Sequence, residues 1–132
     1  MADSKPRIER PLSPHLQIFR PLPNMVMSIL HRITGAALYV GTLILAAWLI
    51  AGATSPDAFA TVEWALGSFL GRLVLFGYTW ALFHHMIGGV RHLIWDTGHG
   101  MGAIGREQLT WLTPIGSVAL TLLVWIAAYV IR

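Results

Sequence analysis

Cysteine is absent from these 132 residues, and with it go covalent haem attachment through a C-x-x-C-H motif, thiolate-ligated iron–sulfur clusters and disulfide staples. Any redox centre must therefore be held by histidine or oxygen ligands. Charge is scarce as well. Asp, Glu, Lys and Arg make up 11% of the chain against 55% hydrophobic residues, too little polar surface to cover a soluble domain of this size. Nine Lys and Arg against six Asp and Glu leave a net charge of +3. They are spread thinly and form no basic stripe, which argues against nucleic acid as a partner.

What is present is a set of long apolar runs. Residues 1–24 are polar and hold Pro6, Pro11, Pro14, Pro21 and Pro23, so an extended segment outside the hydrocarbon is expected there. It does not have the layout of a cleavable signal peptide, because the first apolar stretch follows a long tail and runs on at full length. A membrane domain is expected over 25–132, with spans at about 26–53, 69–95 and 113–131. The uncharged run Ile33–Ala53 alone is long enough for about 30 Å of hydrocarbon. Gly52, Thr54, Ser55, Pro56 and Asp57 break the first span, and a short loop with an interfacial turn leads to the second. Arg72 near its start can snorkel to the headgroups. A glycine-rich polar connection, Thr97 to Gln108, precedes the third. The fold class is thus all-α and integral to a membrane. There are no internal repeats, and three spans cannot form a two-fold inverted repeat, so this chain alone is not expected to be a transporter.

Lys5, Arg7, Arg10 and Arg20 precede the first span, Arg32 lies just inside it, and Arg91 and Arg106 flank the second connection. The first loop carries only Asp57 and Glu63. By the positive-inside rule the N-terminus and the second connection face the cytoplasm, or the matrix of an organelle.

Two constellations are expected at that surface. The second span contains Phe83-His84-His85-Met86-Ile87-Gly88-Gly89-Val90-Arg91-His92-Leu93-Ile94-Trp95-Asp96, and ionisable groups at such depth are a functional hypothesis by default. His85, Gly89 and His92 share one helical face. Glycine one turn from a histidine leaves room for a flat macrocycle, so His85 with Gly88 and Gly89 reads as a haem shelf. Arg91 and His92 stand about 9 Å nearer the surface, where propionates would turn. The plainer reading is histidines packed between helices, with the glycines allowing close approach. His84 points about 100° away from His85 and reads as structural. In the first span, Ser28, His31, Arg32 and Gly35 fall on one side at helical spacing. A hydroxyl and a guanidinium at the hydrocarbon edge suit a quinone carbonyl, since both donate hydrogen bonds and the positive charge offsets the negative charge a quinone acquires on reduction. Equally, Arg32 fits a topogenic charge on lipid phosphate and Ser28 a helix-end residue. His31 and Asp96 are candidates for relaying protons, although Asp96 reads more readily as a helix-end carboxylate paired with a nearby arginine, and Tyr39 is a candidate for packing.

The segment Arg10-Pro11-Leu12-Ser13-Pro14-His15-Leu16-Gln17-Ile18-Phe19, followed by Ser28-Ile29-Leu30-His31-Arg32-Ile33-Thr34-Gly35, resembles the cytochrome b556 subunits of succinate dehydrogenase. So does the second signature, His85-x3-Gly89-x-Arg91-His92-Leu93-x-Trp95-Asp96. The resemblance covers nearly the whole chain. It implies a membrane anchor of respiratory complex II, in a heteromeric transmembrane bundle with a flavoprotein subunit, an iron–sulfur subunit and a second small anchor subunit, all in contact with membrane lipid. Electrons would pass from the iron–sulfur subunit to ubiquinone, within the respiratory chain and the tricarboxylic acid cycle. The subunit alone would not be catalytic. The resemblance further implies that His85 is one axial ligand of haem b iron, with the second from the partner anchor. Ser28 and Arg32 match quinone-site positions, and His31 and Arg32 match positions near the haem propionates. His84 departs from the pattern and leaves a one-residue ambiguity, resolved toward His85 by its distance to Gly89 and Arg91. The rival readings are the anchor of a quinol:fumarate reductase and a haem-free structural anchor. Absence of a presequence favours a bacterial inner membrane over a mitochondrial one.

Overall fold

The computed structural model describes residues 11, 13, 15, 16 and 18–131. Lys5, Arg7 and Arg10, three of the charges behind the expected orientation, lie outside the described residues, as do Leu12, Pro14 and Gln17 of the first signature. Four helices follow one another: α1 Pro23–Thr54, α2 Pro56–Gly67, α3 Phe69–Asp96 and α4 Ala103–Ile131. α1, α3 and α4 are long and apolar enough to cross a membrane. At 32, 28 and 29 residues they run to about 42–48 Å, longer than the hydrocarbon alone requires.

The helix ends follow from local chemistry. Pro23 opens α1 in the first turn, where a missing N–H costs nothing. Ser55 separates α1 from α2, and its side chain accepts from the Ala58 N–H at 3.2 Å. With Pro56 next and Asp57 in the first turn, this is a complete helix-start signature. The stretch expected to hold only an interfacial turn is accordingly a 12-residue helix. Ser68 caps α3 in the same way, accepting from the Gly71 N–H at 3.0 Å. After α3, Gly98 and Gly100 take φ of 79° and 70°, the left-handed region that glycine enters without penalty.

α4 begins at Ala103, inside the stretch expected to be a polar connection through Gln108. Arg106, Glu107 and Gln108 are good helix formers. Apolar runs mark where hydrocarbon begins, and helices extend beyond it. Pro114 sits within α4 without ending it.

Burial is inverted relative to a water-soluble protein. Among the described residues the buried polar set is Thr34, His84, Arg91, Thr110, Thr113, Ser117 and Thr121, whereas the buried apolar residues are only Met27, Ala51 and Ala81. Large apolar side chains such as Leu43, Leu70, Leu123 and Val130 are exposed. Tyr39, expected to pack, is 79% exposed. Lipid tails are as apolar as leucine, so helices associate through close packing of small residues and polar contacts. The buried residues of α3 are Ala81, His84, Gly88 and Arg91 and those of α4 are Thr110, Thr113, Ser117 and Thr121, and the two helices meet where His84 Nδ1 lies 3.4 Å from Ser117 Oγ. The hydroxyls are satisfied within α4: Thr110 donates to the Arg106 carbonyl at 2.7 Å and Thr121 to the Ser117 carbonyl at 2.7 Å. α1 meets α3 where the Tyr78 hydroxyl donates to the Ala37 carbonyl and its ring fills the space a side chain at Gly41 would need.

Candidate functional site

The expected residues of α1 and α3 meet at one end of the bundle. α1 brings His31 in its third turn, and α3 brings His85, Gly88, Arg91 and His92 in its last turns. The His31 ring stacks on His85 with centroids 4.0 Å apart and planes 17° from parallel. It also meets the edge of His92 at 5.4 Å, and His92 meets Trp95 at 5.4 Å. Gly88 is the seat of His31, because a Cβ there would collide with the His31 ring. Gly89 instead faces open space, with nothing within 4 Å of where a Cβ would stand. The shelf expected from two glycines therefore divides: Gly88 serves helix approach and Gly89 stays open.

The two neighbouring histidines have different surroundings. His85 is half-buried and its Nδ1 lies 3.0 Å from the His31 carbonyl oxygen. His84 is fully buried, at 0% exposure. Its ring lies 5.1 Å from Trp80, and its Nδ1 is 3.4 Å from Ser117 Oγ on α4. His84 thus sits in the α3–α4 seam and His85 in the α1–α3 contact.

Arg91 is also buried, at 2% exposure, with its guanidinium carbon 5.0 Å above the Trp95 ring. Several buried polar atoms here have no hydrogen-bond partner among the described residues: His31 Nε2, Arg91 Nε and Nη1, Trp95 Nε1 and His84 Nε2. Buried donors are normally paired, and a guanidinium in hydrocarbon is costly. The unpaired Arg91 and Trp95 donors suit an anionic or strongly accepting partner.

Ser28 is half-buried and Arg32 exposed on α1. Among the described residues neither side chain makes a hydrogen bond within the chain, and neither is drawn into the histidine stack. Asp96, the last residue of α3, is exposed. Sequence reasoning passed over Trp95 as a donor and the hydroxyl seam of α4. The seam has a readable signal, since Thr110, Thr113, Ser117 and Thr121 recur at helical spacing in an otherwise apolar helix.

The model of the succinate dehydrogenase/fumarate reductase transmembrane subunit family matches residues 6–129. The chain belongs to that family. It is 42% identical over 130 residues to the succinate dehydrogenase cytochrome b556 subunit of Paracoccus denitrificans, covering 98% of this chain and 99% of that one. The cytochrome b556 subunit of Rickettsia conorii is 37% identical over 118 residues, 89% of this chain and 92% of its own. The mitochondrial succinate dehydrogenase cytochrome b560 subunit of Sus scrofa is 39% identical over 117 residues, 87% of this chain and 66% of its own. Together with the three membrane-length helices, this makes the chain a multi-pass membrane anchor subunit. The histidine stack therefore lies in a subunit whose named relatives are b-type cytochromes.

Proposed function

We propose that this subunit anchors a succinate:ubiquinone oxidoreductase in a bacterial inner membrane, holds haem b through His85, and forms part of the ubiquinone site with Ser28 and Arg32. The observation that carries this reading is the contrast at the paired histidines. His85 has Nδ1 against a carbonyl, the second contact that metal-binding histidines usually make through the nitrogen away from the metal. Open space lies one turn along at Gly89. His84 is sealed in the α3–α4 seam, so ligation from there would require unpacking two helices. Among the described residues no cluster of three or more His, Asp or Glu could hold a metal ion. An iron on His85 thus needs most of its donors from elsewhere, as a porphyrin and a histidine of the second anchor subunit would provide.

The unpaired donors of Arg91 and Trp95, joined by His31 Nε2 when that nitrogen carries a proton, fit carboxylates, the chemistry of haem propionates. His92, at the edge of the same stack, adds a further donor toward the surface. Haem b held by His85 and a histidine of the second anchor subunit would supply one-electron transfer rather than oxygen chemistry. Ser28 and Arg32 remain free to donate to a quinone carbonyl, and the Arg32 charge favours the reduced, more negative oxygen. Arg20 ahead of α1, Arg32 within it, Arg91 in α3 and Arg106 in the first turn of α4 support an orientation with this end on the cytoplasmic side, where the flavoprotein and iron–sulfur subunits would dock.

The test is a reduced-minus-oxidised spectrum of the whole complex. His85→Ala should abolish or shift the low-spin haem b bands, and His84→Ala should retain them. Loss of the bands in His84→Ala with retention in His85→Ala would move the ligand by one residue and sink the assignment.

A further inference from the structure

A helix carbonyl normally accepts one N–H, from the residue four positions on. The His31 carbonyl of α1 is approached by two side chains as well. His85 Nδ1 stands 3.0 Å away, and the Thr34 hydroxyl donates to it at 3.1 Å while donating to the Leu30 carbonyl at 2.8 Å. Gly35 makes the approach from α3 possible. A Cβ on Gly35 would meet His85 Cε1 at 2.9 Å and Nδ1 at 3.3 Å, well inside the separation at which carbon atoms attract. The His85 imidazole therefore occupies space that any other residue at 35 would fill, and its position is held by the stacked His31 ring at 4.0 Å.

A carbonyl can only accept. In neutral His85 the contact requires the proton on Nδ1 and leaves the lone pair on Nε2. We propose that α1 is the positioning element for His85: the His31 carbonyl selects the tautomer with Nε2 free, Gly35 supplies the space for the ring, and Thr34 tempers the carbonyl by sharing it. This rests on His85 being the haem ligand. Donation from Nδ1 to a carbonyl raises the basicity of Nε2, and a more basic ligand favours ferric over ferrous iron. The three α1 groups thereby set the potential of the centre without touching it.

The experiment uses the assembled complex and reads the midpoint potential and the ferric electron paramagnetic resonance g-values of haem b, neither of which depends on turnover. Gly35→Ala should weaken or break the Nδ1 contact, raise the potential and shift the g-values. Thr34→Val, close to isosteric at a position 2% exposed, removes the competing donor and should lower the potential. Gly77→Ala, whose Cβ would meet nothing within 4 Å, is the control and should change neither. Opposite signs for Gly35→Ala and Thr34→Val are the expected result. An unmoved potential and g-tensor in both, or shifts of the same sign, overturn the proposal. Should Gly35→Ala not assemble, Thr34→Val decides alone, and an unchanged or raised potential refutes it. Haem retained in His85→Ala would remove the ligand reading and this inference with it. Haem lost in His85→Ala with both α1 variants unmoved would remove this inference only.

Discussion

Replacing Arg91 by methionine separates a propionate-binding arginine from a merely structural one. The side chain is 2% exposed, and its Nε and Nη1 have no partner among the described residues. Removing it thus breaks no intrachain hydrogen bond at those atoms. What is lost within the chain is the contact with the Trp95 ring at 5.0 Å, worth about 0.5–2 kcal/mol. Against that stands relief from burying a cation near the hydrocarbon edge, a cost below the about 2.5–3.5 kcal/mol that insertion scales give at the bilayer centre. The haem-free complex should therefore melt no lower than the parent. Each hydrogen bond from the guanidinium to a carboxylate is worth about 1.5–3 kcal/mol, so losing one should weaken haem retention roughly 10- to 150-fold. Haem transfer from the purified complex to excess apomyoglobin, followed by absorbance, measures it. Retention within about twofold of the parent, or a lowered melting temperature of the haem-free complex, would refute the reasoning and make Arg91 a structural charge.

Ser28→Ala and Arg32→Leu should each slow ubiquinone reduction about tenfold or more, since one or two charge-assisted or neutral hydrogen bonds to the substrate are lost. Succinate oxidation with a soluble artificial acceptor should stay intact, and equal loss of both activities would assign the effect to assembly. Gly41→Leu places a side chain where the Tyr78 ring lies and should cost about 1–3 kcal/mol of bundle stability, read as a lower melting temperature in detergent. Tyr78→Phe, which removes only the donation to the Ala37 carbonyl, should cost about 0.5–1.5 kcal/mol. A larger effect for Tyr78→Phe than for Gly41→Leu would show that α1 and α3 are held by the hydrogen bond rather than by close approach.

α2 shows how local signals can be outweighed in a reading dominated by hydropathy. Ser55, Pro56 and Asp57 are a helix start in any water-soluble chain, yet beside long apolar runs they read as a break. The seam of α4 has the same history. Thr110, Thr113, Ser117 and Thr121 are invisible to a hydropathy average because threonine and serine barely lower it, but in lipid they become the packed face. At the paired histidines, spacing placed His84 and His85 on different faces without saying which face was covered. Coverage depends on where α1 and α4 lie around α3, and that is not local information.

The sequence by itself determined the membrane class, the three spans, the end of the bundle where charge and histidine gather, and the family. The first three follow from period, length and composition along one helix, and the family from the resemblance of two motifs, Arg10–Gly35 and His85–Asp96. Only the tertiary structure decided that His84 turns into the α3–α4 seam while His85 meets an α1 carbonyl, that Gly88 seats His31 whereas Gly89 stays open, and that Arg91 is buried with unpaired nitrogens. These are relations between helices far apart in the chain. They are fixed by which small residues let two backbones approach, because in lipid close packing, and no difference in apolarity, selects the partner face.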